Sequence, residues 1–399
     1  MTLVMIEAMG QKGEGVGQHD GLRVFVAGAL PGETVELLDG KLSSVIAASP
    51  ARVAPFCAYF GTCGGCQIQH WADGPYRAWK RGLVEAALRY RGIETPVDEV
   101  VDAHGDGRRR ATFHIRKIDG MVEAGFMAQK SHALTSIERC PILEPGLARA
   151  ADIARAIGVH AGNSDALITK VDSGIDVAVK AERKLQAALL GKLSVVVKQF
   201  DIARLTLNGD VVVEARAPLI RMGKATVRLP ANTFLQATRA GEETLSALVT
   251  EFLDGAKSVA DLFCGAGPFA LRLAERAKVF AADTDHAAVA ALAEAARNTQ
   301  GLKPIRSERR DLFSAPIVSG ELKEFDAAVF DPPRAGAEAQ AKQLAKSKLM
   351  RVVAGSCDPQ SFARDADVLI RGGYRLVRVV PIDQFRHTPH VEIVGLFRR

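Results

Sequence analysis

No apolar run in this 399-residue chain approaches the ~18 residues that a membrane-spanning helix needs. The amino-terminal stretch Met1-Thr-Leu-Val-Met-Ile-Glu7 has no basic head and no long apolar segment, so it does not read as a secretory signal. There is no internal repeat and no low-complexity tract. These absences predict a cytoplasmic protein. Thiols stay reduced there, so the six cysteines read as metal ligands or catalytic groups, not as disulfides. The length predicts two or three domains, at roughly 100–200 residues each. Such a chain buries a large core without covalent staples. With 48% hydrophobic and 25% charged residues, global disorder is excluded. A net charge of +6 gives a mild pull toward an anionic partner and by itself decides little.

The first ~55 residues read as small β structure. Leu22-Arg-Val-Phe-Val-Ala27 alternates like a strand, Ala29-Leu-Pro-Gly-Glu33 is a turn, and Thr34-Val-Glu-Leu-Leu38 is a second strand. Arg77 to Arg91 fits an amphipathic helix, with Leu83, Ala86, Ala87 and Tyr90 on its apolar face and Lys80, Arg81 and Arg89 elsewhere. Residues 107–230 alternate short strands with turns and carry one helix near Gly146–Gly158. From about residue 231 the rhythm becomes strand–helix–strand. This predicts an α/β fold with a doubly wound, mostly parallel sheet.

Chemistry-bearing residues gather where these strands end. Asp261-Leu-Phe-Cys-Gly265-Ala-Gly267-Pro passes from a strand into a helix, and its glycines allow close approach of backbone to a ligand. Asp283 ends the next strand, where a carboxylate can take both ribose hydroxyls of an adenosine ligand, and Asp311 follows one strand later. A nicotinamide dinucleotide is the competing ligand, but the third glycine of its usual loop is Ala270 here. Asp261 suits the ammonium group of S-adenosylmethionine. Asp331-Pro-Pro-Arg334 closes another strand. Arg334 stands where amino-methyltransferases carry an aromatic residue, which argues against nitrogen chemistry. Cys357, in Gly355-Ser-Cys-Asp-Pro359, is a candidate nucleophile, and Glu392, in His387-Thr-Pro-His-Val-Glu392, a candidate general base. Carbon methylation of uracil needs both: a thiolate added at C6 makes C5 nucleophilic, and the C5 proton must later leave. Cys57, Cys63 and Cys66, with a distant Cys140, suit either a 4Fe-4S cluster or Cys-only zinc.

Asp331-Pro-Pro-Arg, Ser356-Cys-Asp-Pro and His387-Thr-Pro-His-Val-Glu resemble the catalytic motifs of the RNA uracil-5 methyltransferase family, and Asn232-Thr-Phe-Leu-Gln236 resembles its Phe-x-Gln segment. The resemblance runs the length of the chain. Pro268 departs from the pattern, which more often has Asn or Thr there. The resemblance implies Cys357 as nucleophile and Glu392 as base, in a Rossmann-like methyltransferase domain that uses S-adenosyl-L-methionine. It implies Gln236, Phe263, Asp283, Asp311 and Asp331 as contacts to cofactor or target base, beside Gly265 and Gly267 of the loop. RNA cytosine-5 methyltransferases are similar in chemistry, but they use a second cysteine beside the proline motif, and none lies near Asp331.

Iron–sulfur members of the family have a segment like Cys63-Gly-Gly-Cys66 and a later Cys-Pro, as at Cys140. A 4Fe-4S cluster held by Cys57, Cys63, Cys66 and Cys140 is thereby implied, with a structural role. Residues 1–55 resemble a TRAM domain, an RNA-binding β-barrel, shortened after Glu36 so that one or two strands are expected to be missing. The implied division is 1–55 TRAM-like, 56–70 with 107–230 cluster-bearing and β-rich, and 71–106 with 231–399 methyltransferase. Arg108-Arg-Arg110 with Phe113, His114, Arg116 and Lys117 offers a basic strand for phosphates and an aromatic ring for an unpaired base. The expected partner is RNA, 23S rRNA ahead of tRNA, with no membrane and no protein partner, the chain acting as a monomer. A non-catalytic RNA-binding assembly factor on the same scaffold is the competing function. It predicts loss of the thiol, the base or the glycine loop, and all three are present.

Overall fold

In the computed structural model, which describes residues 2–182 and 187–399, the chain begins with five antiparallel strands. Their order is Leu22–Ala27, Glu14–His19, Thr2–Met9, Thr34–Leu38, Lys41–Ala47. Alternate residues turn inward, so Val4, Ile6, Val26, Val35 and Leu37 share a small core. Gly17 is needed there, since a Cβ would stand 2.4 Å from the Met5 carbonyl oxygen. The expected loss of strands after Glu36 does not occur: Lys41–Ala47 pairs with Thr34–Leu38. The buried Glu33 carboxylate holds the far end, accepting from Arg52 Nε at 2.5 Å and from the Leu30 amide at 2.8 Å.

A second sheet has seven strands, in the order Asp210–Glu214, Ile202–Leu207, Gly174–Ala181, Ser164–Val171, Arg110–Ile118, Met121–Met127, Leu134–Ser136. Two helices pack on it, Ala150–Ala161 and Ala187–Gln199, where one was expected. The second contains Val195-Val-Val197, a run that favours strands by local propensity. Its buried residues Leu189, Leu193, Val196 and Val197 nevertheless have helical spacing, and packing decides the outcome.

The third sheet positions the site. Its order is Ile305–Arg309, Lys278–Asp283, Ser258–Leu262, Ala327–Phe330, Arg351–Ser356, Glu392–Arg398, Arg375–Asp383, Val101–Asp102. The first five run parallel, and the order reverses on either side of Ser258–Leu262. Ligands bind at such a switch point, outside the carboxyl ends of the strands. Glu392–Arg398 runs antiparallel between Arg351–Ser356 and Arg375–Asp383. Reversal brings the amino end of this last strand to the edge where its neighbours end. Ser356 pairs with Ile393, so Cys357 and Glu392, one residue further each way, emerge side by side.

The helix Asp73–Tyr90 covers the far end of this sheet, but not with the face expected. It buries Tyr76, Lys80, Val84, Ala87 and Leu88, while Ala86 and Tyr90 face solvent.

Candidate functional site

The glycine loop leaves Ser258–Leu262 with Phe263, Gly265 and Gly267 all at positive φ. A Cβ on Gly267 would stand 2.4 Å from Leu292 Cδ1, so only glycine fits. Pro268 opens the short helix Pro268–Leu273 at a position that needs no amide donor. Asp283 Oδ2 accepts from the Gly265 amide at 2.9 Å and so holds the loop. Asp261 lies beneath it, fully buried and facing the Ala270 amide, with no close hydrogen bond to either carboxylate oxygen. Burial, with Asp331 and Asp283 nearby, pushes its pKa up to about 8. Asp311 accepts from the Phe313 amide at 3.0 Å and from Ser314 Oγ at 2.8 Å, bonds that lower its pKa. The Phe313 ring meets Phe263 edge-on, with centroids 5.5 Å apart, and walls the space between loop and Asp311. Sequence reasoning did not single out Phe313.

At the next strand ends stand Asp331, Cys357 and Glu392. Gly355 makes room for Asp331, since a Cβ there would lie 2.5 Å from Asp331 Oδ1. Gln236 Nε2 points at Asp331 Oδ2 across 3.5 Å. Burial raises the pKa of Asp331, and burial with the Asp331 charge raises that of Glu392. Burial, then the Glu392, Asp331 and Asp358 carboxylates, push the Cys357 thiol up to about 12. The thiol is therefore protonated at neutral pH with no ligand bound. The Phe-x-Gln segment presents Phe234, 70% exposed, with the Arg110 guanidinium 5.6 Å from its ring centre.

The expected RNA-binding strand is largely structural. Alternation turns Phe113 and Ile115 into the core, the Phe113 ring lying tilted against Phe126 with centroids 5.0 Å apart. Arg109 is 1% exposed, pairs with Glu242 at 2.7 Å and donates from Nε to the Gln236 carbonyl at 2.9 Å. Its charge is met by Glu242, and its Nε hydrogen holds the Gln236 backbone. His114 Nδ1 lies 2.8 Å from Asp165, and Arg116 is bound to the carbonyls of Ile115 and Ser164.

Cys57, Cys63, Cys66 and Cys140 are free thiols in one locality. Besides burial, the charges of Cys57, Cys63 and Cys66 help raise Cys140 to about 12, and Cys57 acts likewise on Cys63. Gly64 is forced by the Met127 carbonyl oxygen, which a Cβ would meet at 2.8 Å. The Gly65 amide donates to Cys63 Sγ at 3.4 Å. Among the described residues, no three His, Cys, Asp or Glu side chains are arranged to hold a metal ion. The loop also touches the site: the Gln67 and Ile68 amides donate to the His387 carbonyl at 2.9 and 3.1 Å.

A family model described as tRNA (uracil-5-)-methyltransferase matches residues 175–399, more than half of the chain. The chain belongs to the RNA uracil-5 methyltransferase family. An RNA methyltransferase of Brucella suis biovar 1 is 44% identical, over 99% of this chain and 97% of that protein. The 23S rRNA (uracil(1939)-C(5))-methyltransferase RlmD of Aeromonas salmonicida is 32% identical, over 96% of this chain and 93% of that protein. The fold is that of the Pyrococcus abyssi tRNA (uracil-54, C5)-methyltransferase, solved with S-adenosyl-L-homocysteine, at a TM-score of 0.75 and 22% identity, covering 99% of this chain and 100% of that one. Membership makes this chain an RNA uracil-C5 methyltransferase. Among the described residues no helix is long and apolar enough to cross a membrane.

Proposed function

We propose that this chain uses S-adenosylmethionine to convert a uridine of 23S rRNA to 5-methyluridine through a covalent adduct on Cys357. The observation that carries the reading is the reversed final strand, which sets Glu392 beside Cys357 and Asp331 at the ligand-binding edge of the sheet. Asp283 takes the ribose hydroxyls in place of the Gly265 amide, Phe263 and Asp311 flank the adenine, and Asp261 faces the ammonium group, whose charge the unpartnered carboxylate lacks. Asp331 and Gln236 hold the target base, flipped out of its stack.

Cys357 Sγ gives its proton to solvent, and the thiolate bonds to uracil C6. The C5–C6 π electrons then make C5 nucleophilic. C5 takes the methyl group of the sulfonium, which leaves as a neutral thioether. Glu392 removes the C5 proton, the electrons re-form the double bond, and the C6–S bond breaks to release the thiolate. Cys357→Ala should abolish methyl transfer from labelled cofactor; normal activity would end the nucleophile assignment. Glu392→Gln should accumulate a covalent RNA adduct, and a variant that turns over normally removes Glu392 as base.

Cys57, Cys63, Cys66 and Cys140 are the residues that would hold a 4Fe-4S cluster. Four thiols with a backbone amide already donating to one sulfur are a donor set suited to it. Its contribution is structural, and no step of the reaction passes through it. The working division is a TRAM-like unit at 1–55, a cluster-bearing unit at 56–70 and 107–230, and a methyltransferase unit at 71–106 and 231–399, acting in the cytoplasm. Ribosomal RNA is favoured over tRNA by the four-cysteine set and by the similarity to RlmD along nearly the whole chain. Mapping 5-methyluridine by mass spectrometry in rRNA and tRNA of a deletion strain decides it; loss from tRNA alone overturns the rRNA reading.

A further inference from the structure

Gln384 follows the strand Arg375–Asp383 and is 0% exposed. Its Oε1 accepts from the Thr238 amide at 3.4 Å. That contact fixes the amide orientation, because only the oxygen can meet an N–H. Nε2 then donates to Gln236 Oε1 at 2.7 Å and to Glu392 Oε1 at 3.0 Å. Gly241 leaves the space for it, since a Cβ there would stand 2.6 Å from Gln384 Oε1. The backbone beside it is pinned as well. Asp383 accepts from Lys80 Nζ at 2.5 Å and from Tyr76 Oη at 2.8 Å.

We propose that Gln384 is a positioning residue for proton removal: it holds Glu392 as the acceptor and ties that carboxylate to Gln236. One amide hydrogen goes to Glu392 Oε1, which leaves Oε2 to receive the C5 proton. The other goes to Gln236, whose own Nε2 faces Asp331. The same amide thus joins the group that binds the base to the group that deprotonates it. This rests on the reading of Glu392 as the base.

The groups facing Glu392 are Asp331 and Cys357 from the neighbouring strand ends, with Asp358 beyond Cys357. All are neutral or negative. Lys80 is occupied by Asp383 and by the Phe385 and His390 carbonyls. Gln384 is therefore the side-chain donor that favours the ionised form of Glu392. A hydrogen bond to a charged group is worth about 10-fold or more in the equilibrium it biases.

The test compares the full-length protein with Gln384→Met, Gln384→Glu and Glu392→Gln, by steady-state release of methylated RNA from pH 6 to 10 and by covalent RNA adduct on denaturing gels. Gln384→Met keeps the volume and loses the donor. Its rate should fall about 10-fold at pH 7 with KM for RNA nearly unchanged, recover as pH rises, and leave adduct behind. Gln384→Glu should act in the opposite sense, because its carboxyl donates only while protonated: its rate falls as pH rises. A folding defect does not invert with pH. Equal loss at every pH in both variants, or a wild-type profile in both while Glu392→Gln is blocked, overturns the role of Gln384. Normal turnover by Glu392→Gln overturns the base reading and this inference with it.

Discussion

The Cys357 thiol is held protonated by its surroundings, so the reactive form is scarce until a ligand arrives. Its pKa is raised first by burial, then by Glu392, Asp331 and Asp358. Only thiolate is alkylated, so iodoacetamide labelling of Cys357, followed by mass spectrometry, should be slow at pH 7. It should climb about tenfold per pH unit and show no plateau below about pH 10. Asp358→Asn should speed it. Asparagine caps a helix as well as aspartate does, so the bonds to the Gln360 and Ser361 amides survive while the charge goes. A sulfonium ligand should also speed it, by setting a positive charge among the carboxylates. A plateau near pH 8 would show that the thiol is not so held. The residues at strand ends were legible in the sequence because a strand, its turn and its helix are adjacent in the chain. Gln384 and Phe313 were not, since what marks them is a partner far away or a ring across a cleft. The Arg108–Arg110 run misled because Arg109, in the bend just before the strand Arg110–Ile118, turns inward to Glu242.

At the level of the element, Asp73–Tyr90 shows how a hydrophobic pattern misleads where a charge is buried. Residues 76, 80, 84, 87 and 88 form one stripe at helical spacing, but two of the five are Tyr and Lys. A reading that sends every lysine to solvent rotates the helix and buries Tyr90, which is 81% exposed. Lys80 stays inside because Asp383 and two carbonyls take its three donors. Lys80→Met should strand Asp383 without its counter-charge and cost about 3–5 kcal/mol in urea unfolding. Tyr76→Phe, which removes one bond from the same carboxylate, should cost about 1–3 kcal/mol. If Lys80→Met unfolds at the wild-type urea concentration, this ion pair does not anchor the helix to the sheet. The same distance in sequence hid the helix Ala187–Gln199, whose strand-like valines are overridden by the sheet beneath them.

Across the whole molecule, the cysteine loop is where the three larger sheets meet. Val53 donates to the His70 carbonyl, and a Cβ on Gly13, in the turn before the strand Glu14–His19 of the first sheet, would press on Ile68 at 2.7 Å and on Pro389 at 3.4 Å. Cys63 bridges Ala128, and the Gly64 amide donates to the Met127 carbonyl at the end of a strand of the second sheet. Gln67 and Ile68 bind His387, which sits at φ +66 five residues before Glu392. A backbone in that region is strained unless its neighbours hold it. The loop from 57 to 68 thus restrains the segment that carries the base, and whatever orders its thiols orders that segment too. Protein purified without oxygen should be brown with about four irons; stoichiometric zinc would refute the cluster. Cys140→Ser should lose the iron while the strands of the second sheet keep their protection from hydrogen exchange. Protection should fall at residues 64–68 and 385–391 together. Exchange that rises only around residue 140, with 385–391 unchanged, would mean that the cysteine loop and the catalytic segment are ordered independently.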